Sequence, residues 1–255
     1  MADFDSSALI GYTGFVGGNL ARQRSFDERF NSTNIDEIRD RNFDLIVCAG
    51  APAEKWKANA DPQADLANID RLIRALDEVE ADKFVLISTV DVFANPVGVD
   101  EDTPTSLTDL HAYGRNRRML EEVIGSRFDA LIVRLPGLYG PGLKKNVIYD
   151  FLHENETRKI DSRGVFQFYG LDRLWRDIET ALDAELPLAH FATEPVSVAE
   201  VVHDAFGIEF SNEVMPNPAR YDMRTRYAEL FGGKTPYLES REQVLAGIRT
   251  FVQGS

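Results

Sequence analysis

The chain carries one cysteine, Cys48, in 255 residues, which excludes an internal disulfide. Cys48 lies in the apolar run 44–49, so it reads as a buried strand residue and not as a reactive thiol. Long apolar runs are lacking as well; none approaches the roughly 20 residues of a membrane span. Residues 1–5 lack a basic region followed by an apolar stretch, so they do not read as a signal peptide. Positive charge is scarce. With 28 Lys+Arg against 42 Asp+Glu the formal net charge is -14, which argues against a general nucleic-acid or anionic-membrane binder. An anionic small ligand is still compatible, because backbone amides and a few basic side chains suffice to hold one. His153, His190 and His203 have no ligand-like spacing, so no metal site is expected. Internal repeats and low-complexity segments are absent too. A cytoplasmic protein is the resulting expectation.

What is present is ordinary globular composition, 44% hydrophobic and 27% charged. The length suffices for one large domain, or for one domain with a small lobe. Short β-type runs alternate with helical patterns through the first half. Strands are predicted at 8–10, 45–49, 84–87 and 130–133. Helices are predicted from Asn19, over 65–79 with Leu66, Ile69, Leu72, Ile73 and Leu76 on one face, and over 113–124. Apolar strands of this length with helices between them imply a parallel α/β sheet covered on both faces. After Pro136 the pattern loosens into Gly/Pro turns and polar helices. This places a first domain at 1–136 and a smaller lobe, interleaved with it, at 137–255. The interval from Gly17 to Asp44 is short. It holds one strand near 28–31 and a predicted helix over 35–41, so one strand-helix unit of a doubly wound half is missing or reduced.

Gly11-Tyr12-Thr13-Gly14-Phe15-Val16-Gly17 follows the first strand and opens a helix, the context a dinucleotide loop requires. Gly11 suits the tight turn, Gly14 the close approach of backbone to a pyrophosphate, and Gly17 the packing of helix on strand. A flexible strand-to-helix turn is the simpler alternative. The acidic residue that usually reads the adenosine ribose is absent. Asn31 and Ser32 stand there, neutral and able to hydrogen-bond either a hydroxyl or a phosphate. They therefore favour neither NAD nor NADP, and they also suit a turn and helix cap before Ile35.

Thr89 ends a strand, Tyr113 opens a helix, and Arg117 stands four residues further on. Positions i and i+4 share a helix face, so a fixed cation reaches the tyrosine, and a nearby positive charge lowers a phenol pKa from its usual value of about 10. His111 reads either as a cleft residue or as a surface histidine. Asp91 reads as a local turn residue, with substrate contact as the alternative. Trp175 reads as a packing residue of the later lobe, with a base-stacking platform as the lesser alternative.

Taken in order, these motifs resemble the extended short-chain dehydrogenase/reductase family of nucleotide-sugar epimerases, dehydratases and reductases. The resemblance covers nearly the whole chain. It rests on the glycine loop, on Cys48-Ala49-Gly50-Ala51, on Asn68, on the strand 87–93 and on Arg134-Leu135-Pro136-Gly137-Leu138-Tyr139-Gly140-Pro141-Gly142. Asn146-Val147-Ile148, 168–174 and 195–201 add weaker matches. The family's lysine is replaced by Arg117, which keeps the charge and will not release a proton. The resemblance implies a Rossmann-type fold and an NAD or NADP cofactor. Around that cofactor it sets Gly11, Thr13, Gly14, Phe15, Val16, Gly17, Asn31, Ser32, Ala49, Gly50, Ala51, Asn68 and Pro136. It implies Tyr113 as general acid/base, Thr89 polarising the substrate oxygen, Arg117 as the supporting cation, and Asp91 and Asn146 toward a nucleotide sugar. Of the acidic pair that dehydratases carry after the Thr, only Asp91 remains, so dehydration is disfavoured. A keto-sugar reductase or epimerase is the simplest expectation. A cofactor-binding sensor or partner protein with little catalysis is the rival. Family members often pair as homodimers through the helices corresponding to 65–79 and 113–124.

Overall fold

Every side chain of the first strand, β1 (Ser7–Ile10), is buried, the pattern of a parallel strand covered on both faces. The computed structural model describes residues 4–254; residues 1–3, on which part of the signal-peptide reading falls, and residue 255 lie outside the described residues. After β1 come helix α1 (Phe15–Gln23), β2 (Glu28–Phe30) and the buried strand β3 (Asn42–Cys48). Helix α2 (Lys55–Ala60) runs into α3 (Pro62–Leu76). Asp61 caps α3 by accepting from the Ala64 amide, and Pro62 sits at the first turn, where its missing N–H has no cost. The helix buries Ile69, Leu72 and Leu76. Next are β4 (Glu80–Thr89), β5 (Val97–Val99), α4 (Ala112–Arg127) and β6 (Ala130–Leu135). The remainder comprises β7 (Gly137–Tyr139), α5 (Val147–Leu152), β8 (Val165–Phe166), β9 (Phe168–Gly170), α6 (Leu174–Asp183), β10 (Leu188–His190), β11 (Val196–Ser197), α7 (Val198–Phe206), β12 (Asp222–Met223) and α8 (Arg241–Gln253).

A six-stranded sheet runs in the order β10-β6-β4-β3-β1-β2. β1 pairs in parallel with β2 and β3, and β3 pairs in parallel with β4. This is the Rossmann-type arrangement expected, with the expected reduction: one strand lies beyond β1 on the β2 side among the described residues, where the doubly wound order has two. The helix expected over 35–41 is corrected to a single 3-10 turn, Ile35–Ile38. Arg39 is already extended, with ψ 147, and Asp40 takes a left-handed φ of 56, so the chain turns into β3 before a second helical turn can form. Ile35 and Ile38 are buried and pin that turn to the core.

Two units share the chain. The first holds residues up to Ala94, Thr103–Arg134 and Leu174–Ala189. Its core joins Ile10, Ile46, Phe84 and Leu86 of the sheet to Leu72 and Leu120 of α3 and α4. Cys48 is buried in it, and burial pushes the thiol up to about 11, so the strand reading holds. Trp175 packs in this unit and not in the expected lobe, edge-on to Phe26 and capped by Arg24 at 4.5 Å from its ring.

The second unit holds Asn95–Asp102, Leu135–Arg173 and the segment from His190 onward. It contains small two-stranded pairings, β5 with β12, β7 with β9 and β8 with β11. Its core gathers Tyr139, Ile148, Phe168, Val201, Val244 and Ile248. Ser197 starts α7 in a capping box, with the Glu200 amide donating to its hydroxyl at 3.2 Å and its own amide donating to the Glu200 carboxylate at 2.8 Å. Ser197→Ala is expected to lower stability by about 1 kcal/mol, read from urea unfolding. No helix among the described residues is long and apolar enough to cross a membrane.

Candidate active site

Because β2, β1 and β3 are parallel neighbours, their C-terminal ends bring distant parts of the chain together. The Gly11 amide donates to the Phe30 carbonyl at 2.7 Å, and the Ala49 amide donates to the Ile10 carbonyl at 2.9 Å. The glycine loop thus sits between Asn31 and the segment 49–51. Gly11 takes a φ of 85, and a Cβ there would lie 2.4 Å from the Ala49 carbonyl oxygen. A Cβ on Gly17 would lie 2.2 Å from the Gly11 oxygen, so helix and loop touch through bare backbone. The N-cap of α1 is Gly14, which offers no side chain. The amides of Phe15, Val16 and Gly17 precede the first helical hydrogen bond and point, with the positive end of the dipole, out of the helix. That cradle fits a dinucleotide diphosphate. Thr13 is exposed in the same loop. The Asn31 side-chain oxygen accepts from the Thr33 amide at 2.8 Å and its hydroxyl at 2.7 Å, so it builds the local turn; Ser32 is exposed.

Next to β3 in the sheet, β4 ends on Thr89. Its hydroxyl accepts from the Asp91 amide at 3.2 Å and lies near enough to the Tyr113 phenol to favour its ionised form. Helix α4 starts on His111, whose Nδ1 accepts from the Gly114 amide at 3.0 Å, so in the neutral ring the proton sits on Nε2. A Cβ on Gly114 would lie 2.0 Å from the Asp91 carbonyl oxygen. The first turn of α4 therefore rests directly on the turn after β4, which brings Thr89 and Tyr113 together. The Tyr113 amide donates to the Asn59 side chain at 3.0 Å, tying α2 to the same point.

Arg117 lies under the Tyr113 ring, its guanidinium carbon 4.0 Å from the ring centroid. The guanidinium is 3% exposed and donates to the Asp65 carboxylate and to the Pro52 carbonyl. Asp65 also accepts from the Asn116 side-chain Nδ2 at 2.7 Å. The Arg117 Nε is buried with no hydrogen-bond partner among the described residues. Burial pushes the Tyr113 phenol above its usual range. Arg117 opposes that, Asp91 adds to it, and the Thr89 hydroxyl and Lys55 oppose it more weakly. The balance keeps the phenol protonated, a hydrogen-bond donor at neutral pH.

Asp91 is engaged beyond its turn. The Lys55 ammonium donates to its carboxylate at 2.7 Å, and His111 Nε2 stands 3.8 Å from the same oxygen. Burial raises the carboxyl, but His111 and Lys55 outweigh it and hold Asp91 below the usual carboxylate range. The Lys55 contact is the firmer of the two, since 3.8 Å is too long for a hydrogen bond.

Several members of this cluster escaped the sequence reading: Asp65, Asn116, Asn59, Lys55 and Glu121. Glu121 is 1% exposed; it accepts from Ser88 at 2.5 Å and from two nitrogens of Arg134 at 3.0 and 2.7 Å. The family-like arginine of β6 is thus a buried strut between sheet and α4. A signal existed for both acids. Asp65 extends the Ile69, Leu72, Leu76 stripe by one turn, and Glu121 lies beside Leu120 on the buried face of α4. Asn68 is exposed on α3 and stands outside the Asp65 network. Pro136 is buried at the start of the second unit's share of the chain. Asn146, in that unit, caps α5: its oxygen accepts from the Ile148 and Tyr149 amides at 3.0 and 3.2 Å, and its nitrogen donates to the Leu138 carbonyl at 2.8 Å. Both ends of its side chain are engaged in its own unit.

A sequence model described as the NAD dependent epimerase/dehydratase family matches residues 27–177. Comparison with curated proteins gives no match. Among solved structures, the NAD-dependent NDP-hexosamine 5,6-dehydratase TunA is similar over 97% of this chain and 96% of its own, with TM-score 0.74 and 18% identity. The dTDP-4-dehydrorhamnose reductase of Bacillus anthracis, solved with NADP, matches over 98% and 99%, with TM-score 0.73 and 18% identity. MoeE5, solved with UDP-glucose and NAD, matches over 97% of each chain, with TM-score 0.71 and 16% identity. At these identities the likeness establishes the fold.

Proposed function

Since this chain belongs to the NAD dependent epimerase/dehydratase family, we propose that it is an NAD(P)-dependent oxidoreductase or epimerase of a nucleotide-activated sugar. The simplest form is a keto-sugar reductase with Tyr113 as general acid/base. The observation that carries this reading is the Thr89–Tyr113 pair, two hydroxyl side chains brought together at the end of β4 by the packing of Gly114 on the turn after Thr89, with Arg117 beneath the ring. A phenol kept protonated by burial suits donation of a proton to a carbonyl oxygen, which is what reduction requires. Thr89 holds the same oxygen and steadies the charge that develops on it. The amides of Phe15, Val16 and Gly17, with Gly11, Thr13 and Gly14, hold the cofactor diphosphate. Asn31 and Ser32 lie toward the adenosine ribose. Ala49, Gly50 and Ala51 line the nicotinamide side, with Asn68 as an outlying member. A bound nicotinamide supplies or accepts the hydride. The fold shared with enzymes solved with UDP-glucose or acting on dTDP-linked sugars supports a nucleotide sugar as substrate.

Titration of the protein with NADH and with NADPH, followed by cofactor fluorescence, tests the reading. A saturable shift with at least one of them is expected. Absence of binding by both at millimolar concentrations overturns it. One observation favours the rival, a cofactor-binding sensor or partner protein with little turnover: the Arg117 guanidinium is committed to Asp65 and the Pro52 carbonyl. The response of turnover to loss of the Tyr113 hydroxyl separates the two.

A further inference from the structure

The cation that follows Tyr113 along its helix is locked. Arg117 is buried, ion-paired with Asp65, bound to a backbone carbonyl and stacked against a ring face. A guanidinium so held supplies fixed charge and nothing that moves. A second cation reaches the site from elsewhere. Lys55 opens α2 and its ammonium meets Asp91, on the turn whose backbone packs against Gly114 beside Tyr113. The Lys55 side chain is 39% exposed, whereas the Asp91 side chain is 16% exposed, so the pair spans from solvent to the edge of the site.

We propose that Lys55 is a positioning residue for Tyr113: it holds Asp91 as a neutralised pair beside the phenol and provides the partly solvent-exposed cation that the buried Arg117 does not. This rests on the Tyr113 chemistry proposed above. Without Lys55, the Asp91 carboxylate loses the ammonium that meets it at 2.7 Å, and negative charge on the nearby phenol is disfavoured. The charged and polar groups facing Tyr113 are Arg117 on its own helix, Thr89 and Asp91 after β4, and Lys55 on α2. His111 stands beside it at the helix cap, its ring 6.2 Å from that of Tyr113, and Asp65 on α3 reaches it through Arg117.

The test compares wild type, Lys55→Met and Lys55→Arg, each biosynthetically labelled with difluorotyrosine, whose phenol titrates near neutrality. Fluorine NMR follows the Tyr113 resonance, assigned by its loss in Tyr113→Phe. Lys55→Met is expected to raise the Tyr113 midpoint by about one pH unit, and Lys55→Arg to restore it. Equal midpoints in wild type and Lys55→Met overturn the proposal, as does a rise that Lys55→Arg fails to reverse. Lys55 is partly exposed, and unfolding curves of both variants confirm that each folds. The titration needs neither cofactor nor substrate. It therefore judges Lys55 separately from the oxidoreductase reading, which stands or falls on NADH and NADPH binding and on Tyr113→Phe turnover.

Discussion

Tyr113→Phe is expected to lower turnover about 100- to 10,000-fold, the usual contribution of a positioned proton donor, and to leave NAD(P)H affinity nearly unchanged. The substitution removes the hydroxyl alone. The ring that covers the Arg117 guanidinium stays, and so does the amide bond to Asn59, because that donor is backbone. The fold is therefore retained and the loss reports chemistry. The assay follows NADPH or NADH oxidation with a panel of UDP- and dTDP-linked keto-sugars. The pH dependence has a definite sign. Burial raises the phenol, so the acid form persists through the neutral range, and the wild-type reduction rate is expected to be flat there and to fall only on the alkaline side, as the proton is lost. Turnover that survives Tyr113→Phe intact sinks the proton-donor role and leaves the cofactor-binding protein as the better reading.

Local pattern was enough to place five strands of the six-stranded sheet, though not β10, and with them the glycine loop, the strand end at Thr89 and the helix start at Tyr113. Each is announced by a few adjacent residues: an apolar run, closely spaced glycines, a hydroxyl at a strand end, a tyrosine entering a helix. The short segment between α1 and β3 was legible as a deficit of residues, although not as a 3-10 turn, because Ile35 and Ile38 at spacing i, i+3 suit either helix type and the left-handed Asp40 carries no sequence mark. The electrostatics around Tyr113 were not legible. Arg117 meets Asp65 from another helix, and Asp91 meets Lys55 from a third. Such pairs are set by tertiary packing, and a lone acid or lysine on a helix reads as solvated surface until the fold buries it. Asn146 shows the converse, since a residue picked out by family likeness is occupied in capping α5. The charge that a motif promises is visible in sequence; the partner that fixes its direction is not.

Asp65→Ala should destabilise the protein by about 3–5 kcal/mol, the usual cost of breaking a buried ion pair from one side. Asp65 and Arg117 are 5% and 3% exposed, so water cannot replace the lost partner. Removal of the carboxylate strands a guanidinium whose Nε already lacks a partner among the described residues, and it also takes the acceptor from the Asn116 side-chain Nδ2. Guanidinium chloride unfolding reads the change. Asp65→Asn keeps an acceptor but not the charge and should fall between wild type and Asp65→Ala. Arg117→Met strands the carboxylate instead and should cost a comparable amount. The double variant Asp65→Ala, Arg117→Met leaves no uncompensated charge, so its loss should be smaller than the sum of the single losses by about 0.5–3 kcal/mol. Strict additivity would mean that the two side chains do not act as a pair. Coupling of that size would mean that the arginine was accommodated beneath Tyr113 because Asp65 stood opposite it, and that the fixed cation of the site is a two-residue device.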